Sequence, residues 1–152
     1  MIGKIMVAIG GDEASYEPAR VAGRLAYALG VPLSVMSVKP STAQTPGETY
    51  HTDRQTERFG ETEAMLANAR RLAEEEGALV AEADVLEGPT AETIINHAHS
   101  GGFGLIVMGT RRRGRLQSAI LGSVSAGVAA HSSVPVMIVP EPALRDMHDD
   151  IE

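Results

Sequence analysis

A chain of 152 residues with 43% hydrophobic content is long enough for one domain with a core of ordinary size. It has no Trp, only 3 Tyr and 2 Phe, so the core must be built from Val, Ile, Leu, Met and Ala, a composition suited to a parallel sheet covered by helices. The absence of Cys excludes disulfides, thiolate metal sites and a Cys nucleophile, the formal net charge of −7 argues against a broad nucleic-acid-binding face, and no apolar run approaches the roughly 20 residues of a membrane span.

Met1 leads directly into a strand-like segment, without a basic region and long apolar stretch, so no secretory signal is expected and cytoplasm is the default location. Ile5-Met6-Val7-Ala8-Ile9 reads as a buried parallel strand leaving the sheet through Gly10-Gly11. Asp12 or Ser15 is expected to cap the following helix, Pro18 falls in its first turn, Ala19, Ala22, Ala26 and Leu29 recur at helical spacing, and Gly30 stops it. Residues 33–38 form a second strand, ended by Lys39-Pro40, and residues 41–53 read as a mobile loop. A long amphipathic helix is expected over about 55–76, with Met65, Ala69, Leu72 and Ala73 on one face and Gly77 closing it. Residues 79–86 alternate as a half-exposed edge strand, Leu79, Ala81, Ala83 and Val85 opposite Val80, Glu82, Asp84 and Leu86. Gly88-Pro89 turns the chain, with Thr90 as N-cap of a helix carrying Thr93, Ile94, His97 and Ala98, which Gly101-Gly102 breaks.

The richest stretch follows. Leu105-Ile106-Val107-Met108 reads as a strand ending in Gly109-Thr110, then come four arginines in the five residues 111–115, and Leu121-Gly122-Ser123-Val124 opens a small-residue helix. A strand, a loop and a helix start form the arrangement that places phosphate at a strand's carboxyl end: glycine admits close backbone approach, the first helical amides lack intrahelical partners, and Ser123 offers a hydroxyl. In a chain of net charge −7, this concentration of guanidinium groups reads as a candidate anion clamp, with Arg111 or Arg113 expected to supply charge to a bound phosphate. The plainer reading is a solvated loop before a helix capped by Ser123. Val134-Pro135-Val136-Met137-Ile138-Val139 is the last strand, which its proline confines to an edge or to pairing on one side. Residues 1–140 thus form one domain, and 141–152 an acidic, frayed tail.

The alternation, five strands and four helices, predicts an α/β fold, an open doubly wound parallel sheet with helices on both faces. Ligands sit in such sheets at the carboxyl ends of strands where the winding reverses, which selects the glycine turns at Gly10-Gly11 and Gly109. No Walker lysine, nucleophile elbow or H-E-x-x-H pattern is present, and His97 and His99, two apart, fall on different helix faces. Asp12 and Glu13 are carboxylates within reach of a phosphate-bound Mg²⁺, although acids beside a helix start more often act as caps.

The run from Met108-Gly109-Thr110 through Leu121-Gly122-Ser123-Val124, followed by residues 134–139, strongly resembles the universal stress protein family, and the likeness extends over about residues 2–140. Nucleotide-binding members carry G-x2-G-x9-G-[ST]; Gly109, Gly122 and Ser123 stand in register, while Arg112 occupies the second glycine position, with Gly114 two places later. At the end of the first strand, where binding members have an Asp that contacts the adenosine part, this chain has Gly10. Both departures weaken the expectation of ATP. The resemblance implies strand order 3-2-1-4-5, a homodimer pairing last strands, and an adenine nucleotide, ATP, ADP or AMP, with or without Mg²⁺, at the crevice between the first and fourth strands. The site so implied takes in Ala8, Gly10, Gly11, Val38, Met108, Gly109, Arg111, Arg113, Gly122, Ser123 and Val124.

The first expectation is therefore a stress-response regulator that binds an adenine nucleotide and is no conventional ATPase, with at most slow hydrolysis because no residue is placed to activate water. The second, favoured by Gly10 and Arg112, is a nucleotide-independent dimeric interaction protein of the same fold. A hydrolase of phosphorylated small molecules ranks last, having neither nucleophile nor metal set. Nucleic acid and membrane are not expected as partners, and the sequence names no protein partner.

Overall fold

The computed structural model describes residues 1–10, 16–39, 52–110 and 122–140. Their order is β1 (Ile5–Ala8), α1 (Glu17–Leu29), β2 (Leu33–Lys39), α2 (Thr52–Glu75), β3 (Val80–Glu87), α3 (Thr90–Ser100), β4 (Leu105–Gly109), α4 (Ser123–His131) and β5 (Val136–Val139). The strands form one parallel sheet in the order β3-β2-β1-β4-β5. No described helix is long and apolar enough to cross a membrane.

The apolar runs explain the layering. β1 is central and helices cover the sheet on both faces, so its side chains are buried on either side and it needs no polar alternation. Ile5, Val7, Leu33, Val35, Leu105 and Val107 point to one side and pack with Ala19, Ala22, Ala26, Met65, Ala69 and Ala73 of α1 and α2. Met6, Ala8, Met36, Ile106 and Met108 point to the other and pack with Ile94, Ala98 and Val128 of α3 and α4. The sheet is therefore doubly wound, and the winding reverses between β1 and β4.

Several boundaries differ from the sequence expectation. Tyr16 is the N-cap of α1, with no side-chain cap bond, whereas Asp12 and Ser15 lie outside the described residues; Pro18 does stand in the first turn, and Gly30 closes the helix at φ 68°. Helix α2 begins at Thr52, so it takes the end of the segment expected as a loop; the rest of that loop, residues 40–51, lies outside the described residues, as does the tail 141–152. The alternation expected for β3 slips at its start. A register shift lets Val80 pair with Leu33 and Glu82 with Ser34, so Val80 is buried while Leu79 stands 73% exposed before the strand. Proline delays β5: Pro135 precedes the strand and offers only its carbonyl, which accepts from the Ile106 N–H at 2.9 Å.

Candidate functional site

The two central strands part at their carboxyl ends. Up to Ala8 and Met108 they are in register with each other. Beyond that pair, the Ile9 N–H turns to the carbonyl of Met36 on β2, at 2.8 Å, while Gly109 pairs with Val139 on β5. With each strand committed to its outer neighbour, a crevice opens between them at the reversal of winding, where ligands of such sheets bind.

Its described lining is Ala8, Ile9, Gly10, Val38, Thr90, Ile94, Met108 and Val124. Ala8, Ile94 and Met108 belong to the buried core under α3 and α4, and Val38 and Val124 pack against it, so the floor of the crevice continues that core. The space enclosed there is about 10 Å³, roughly what one water needs and far below the roughly 300–1,000 Å³ of small-molecule sites. The described residues thus frame one end of a ligand site and not the whole of it.

Two helix N-termini converge on the crevice, through Thr90 in the first turn of α3 and Val124 in the first turn of α4. Each carries the positive end of its macrodipole, and α4 itself offers no acceptor to the amides of Ser123, Val124 and Ser125. The caps differ from expectation. Gly122, extended at φ −62° and ψ 161°, is the N-cap of α4, and Ser123 is the first helical residue, exposed and making no side-chain cap bond. Pro89 likewise caps α3 without a side-chain bond, and Thr90, the first helical residue, lines the crevice. Gly88 makes this turn possible: at φ 143° its N–H donates to the Lys39 carbonyl at 3.1 Å, and a Cβ there would stand 2.6 Å from Thr93 Oγ1.

The start of α4 is pinned to the exit of β4 by two bonds. The Gly122 N–H donates to the Thr110 carbonyl at 3.1 Å, and buried Ser125 donates from Oγ to the Gly109 carbonyl at 2.8 Å. The chain that leaves the sheet after Thr110 returns to the same point at Gly122.

Of the eleven residues the sequence singles out, Ala8, Gly10, Val38, Met108 and Val124 line the crevice, and Gly109, Gly122 and Ser123 stand at its α4 side. Gly11, Arg111 and Arg113 lie outside the described residues, as do Arg112, Asp12 and Glu13. Sequence reasoning missed Ile9, Thr90 and Ile94 as lining residues, and Ser125 as the link between α4 and β4. Ser125 had a signal: it lies three residues before Val128 on the inward face of an apolar helix, where a buried hydroxyl must find an acceptor. Among the described residues no group of His, Asp and Glu is arranged to hold a metal ion.

A parallel sheet with a crevice at its switch point and helix N-termini converging there defines a doubly wound α/β protein with its candidate ligand site at that point. Residues 1–140 match the Universal stress protein family, and the chain belongs to that family. It is 37% identical over 123 residues to the stress response protein NhaX of Bacillus subtilis, covering 81% of this chain and 69% of that protein. It is 33% identical over 148 residues to the universal stress protein YxiE of the same organism, covering 91% of this chain and 99% of that one. Among solved structures, that of the universal stress protein from Archaeoglobus fulgidus in complex with dAMP superposes with a TM-score of 0.64 at 25% identity, covering 91% of this chain and 98% of that one.

Proposed function

We propose that this protein is a stress-response regulator that binds an adenine nucleotide in the β1/β4 crevice, with its phosphates toward the first turn of α4 and Mg²⁺ accompanying them. The observation that carries this reading is the crevice itself: an apolar floor of Ala8, Val38, Ile94, Met108 and Val124 meeting the N-termini of α3 and α4. An apolar floor suits a purine face, and two positive helix ends suit phosphate, in a chain otherwise acidic. The dAMP held by the Archaeoglobus fulgidus relative supports the same ligand class. Ser123 and the amides of residues 122–124 make the phosphate contacts, with Arg111 or Arg113 adding charge.

We read turnover as slow at most, because the sequence shows no residue convincingly placed to activate water. Calorimetric titration with ATP, ADP and AMP, with and without Mg²⁺, tests the reading: millimolar or tighter binding is expected, and its absence removes the proposal.

One observation favours a second reading, a nucleotide-independent dimer. Gly10 is buried at the end of β1 and presents no side-chain acceptor, while edge strand β5 leaves Val136, Met137 and Ile138 half-buried for a partner strand. Nucleotide released on denaturing freshly purified protein counts against that reading. Homodimerisation through β5 is compatible with either.

A further inference from the structure

We infer that the sheet is closed to a second copy of this chain at its β3 edge, that the carboxylates of Glu82 and Asp84 close it, and that β5 is thereby left as the edge open to self-association. The inference stands apart from the nucleotide reading and does not require that β5 pairs. The two edges differ in kind. β5 has four residues, no charge, and Val136, Met137 and Ile138 half-buried. β3 has eight residues, and after the register shift at its start it runs in step with β2 from Glu82 to Glu87. An edge strand of that length presents a row of backbone donors and acceptors, a template for another chain.

The side chains of β3 oppose such pairing. Ala83 and Val85 pack against the core under α1 and α2, which turns Glu82 and Asp84 to the opposite face, where both are exposed. They stand in register with Ser34 and Met36 of β2, which are buried. Among the described residues no ion pair engages either carboxylate. Either way of adding a copy meets these charges. In a two-fold pairing of β3 with β3 about Ala83, Glu82 of each strand faces Asp84 of the other, like charges whose Cβ atoms are about 5 Å apart. In a head-to-tail pairing of β3 with β5, the contact that repeats without closing, the carboxylates lie beside the apolar residues of β5 and lose water without gaining a partner. Pairing of β5 with β5 joins two apolar edges and meets neither cost.

The test is sedimentation velocity of the full chain from micromolar to millimolar concentration, beside three variants. Glu82→Thr/Asp84→Thr drops the charge and keeps strand propensity, Glu82→Lys/Asp84→Lys restores an edge charge of opposite sign, and Glu61→Gln/Glu63→Gln removes two charges from exposed positions on α2. The threonine chain is expected to form species larger than those of the natural chain, at concentrations about tenfold lower than any at which the natural chain does so, while the other two keep the natural pattern. A threonine chain that sediments as the natural one overturns the inference. Larger species formed equally by the α2 variant overturn it as well, since net charge is then the cause, and so do larger species of the lysine chain. Should the threonine chain fail to fold, an equimolar mixture of the natural and lysine chains decides: opposite charges then meet across β3, mixed species absent from either solution alone are expected, and their absence overturns the inference. A natural chain that stays monomeric ends the β5 dimer reading and leaves the comparison at β3 intact.

Discussion

Ser125 Oγ donates a 2.8 Å hydrogen bond to the carbonyl oxygen of Gly109, and both residues are buried. The bond joins the third residue of α4 to the last residue of β4, so the amides that face the crevice are held at a set distance from the strand ends. Ser125→Ala leaves that carbonyl without its donor while changing side-chain volume little. The expected loss is about 1–3 kcal/mol, the cost of a buried polar group left unsatisfied, read from urea denaturation with an unchanged m-value. Nucleotide affinity should fall with it. Stability equal to that of the natural chain would show that water replaces the hydroxyl.

Gly23 sets how closely α1 approaches α2. A Cβ at this position would stand 2.8 Å from the carbonyl oxygen of Ala73 and 2.9 Å from its Cα, both backbone atoms that cannot rotate away. Gly23→Ala gains up to about 1 kcal/mol of helix propensity in isolation, yet must push two packed helices apart, at about 1–3 kcal/mol. Net destabilisation is expected, with a lowered midpoint in thermal melting. A higher midpoint would mean that the helices slide without loss of packing.

At the mouth of the site, Ser123 is exposed and makes no side-chain cap bond, so its replacement touches little of the fold. Ser123→Leu should alter stability by no more than about 0.5 kcal/mol, as exposed substitutions do, while weakening nucleotide binding tenfold or more by blocking the first turn of α4. Both quantities come from one preparation, by denaturation and calorimetry. Unchanged affinity would relocate the phosphate away from this helix end.

An edge strand with Val136, Met137 and Ile138 half-buried invites pairing, and two-fold closure with a second copy removes the edge. Sedimentation of the full chain at micromolar concentration should therefore show a dimer, as should a chain ending at Pro142. A full-length monomer would sink the dimer, and association of the shortened chain alone would mean that the acidic tail covers β5.

What the sequence by itself determined about this protein is the set of elements and their alternation. Continuous apolar runs such as residues 5–9 and 105–108 are the mark of strands buried on both faces, and glycine and proline end elements through backbone geometry that depends on the residue alone; Gly30, at φ 68°, is such a stop. The switch-point glycines were legible for the same reason, and resemblance supplied the strand order. The tertiary structure decided what depends on residues distant in the chain. Whether Leu79 or Val80 is buried was set by the register of β3 against Leu33, since alternation states a period and not which phase faces the core. Thr90 and Ile94 reach the crevice only because α3 crosses beside β2 on the α4 side of the sheet, and Ser125 has its acceptor only because Gly109, 16 residues earlier, ends the neighbouring strand. Such pairings are fixed by packing between elements, which local sequence periodicity does not encode.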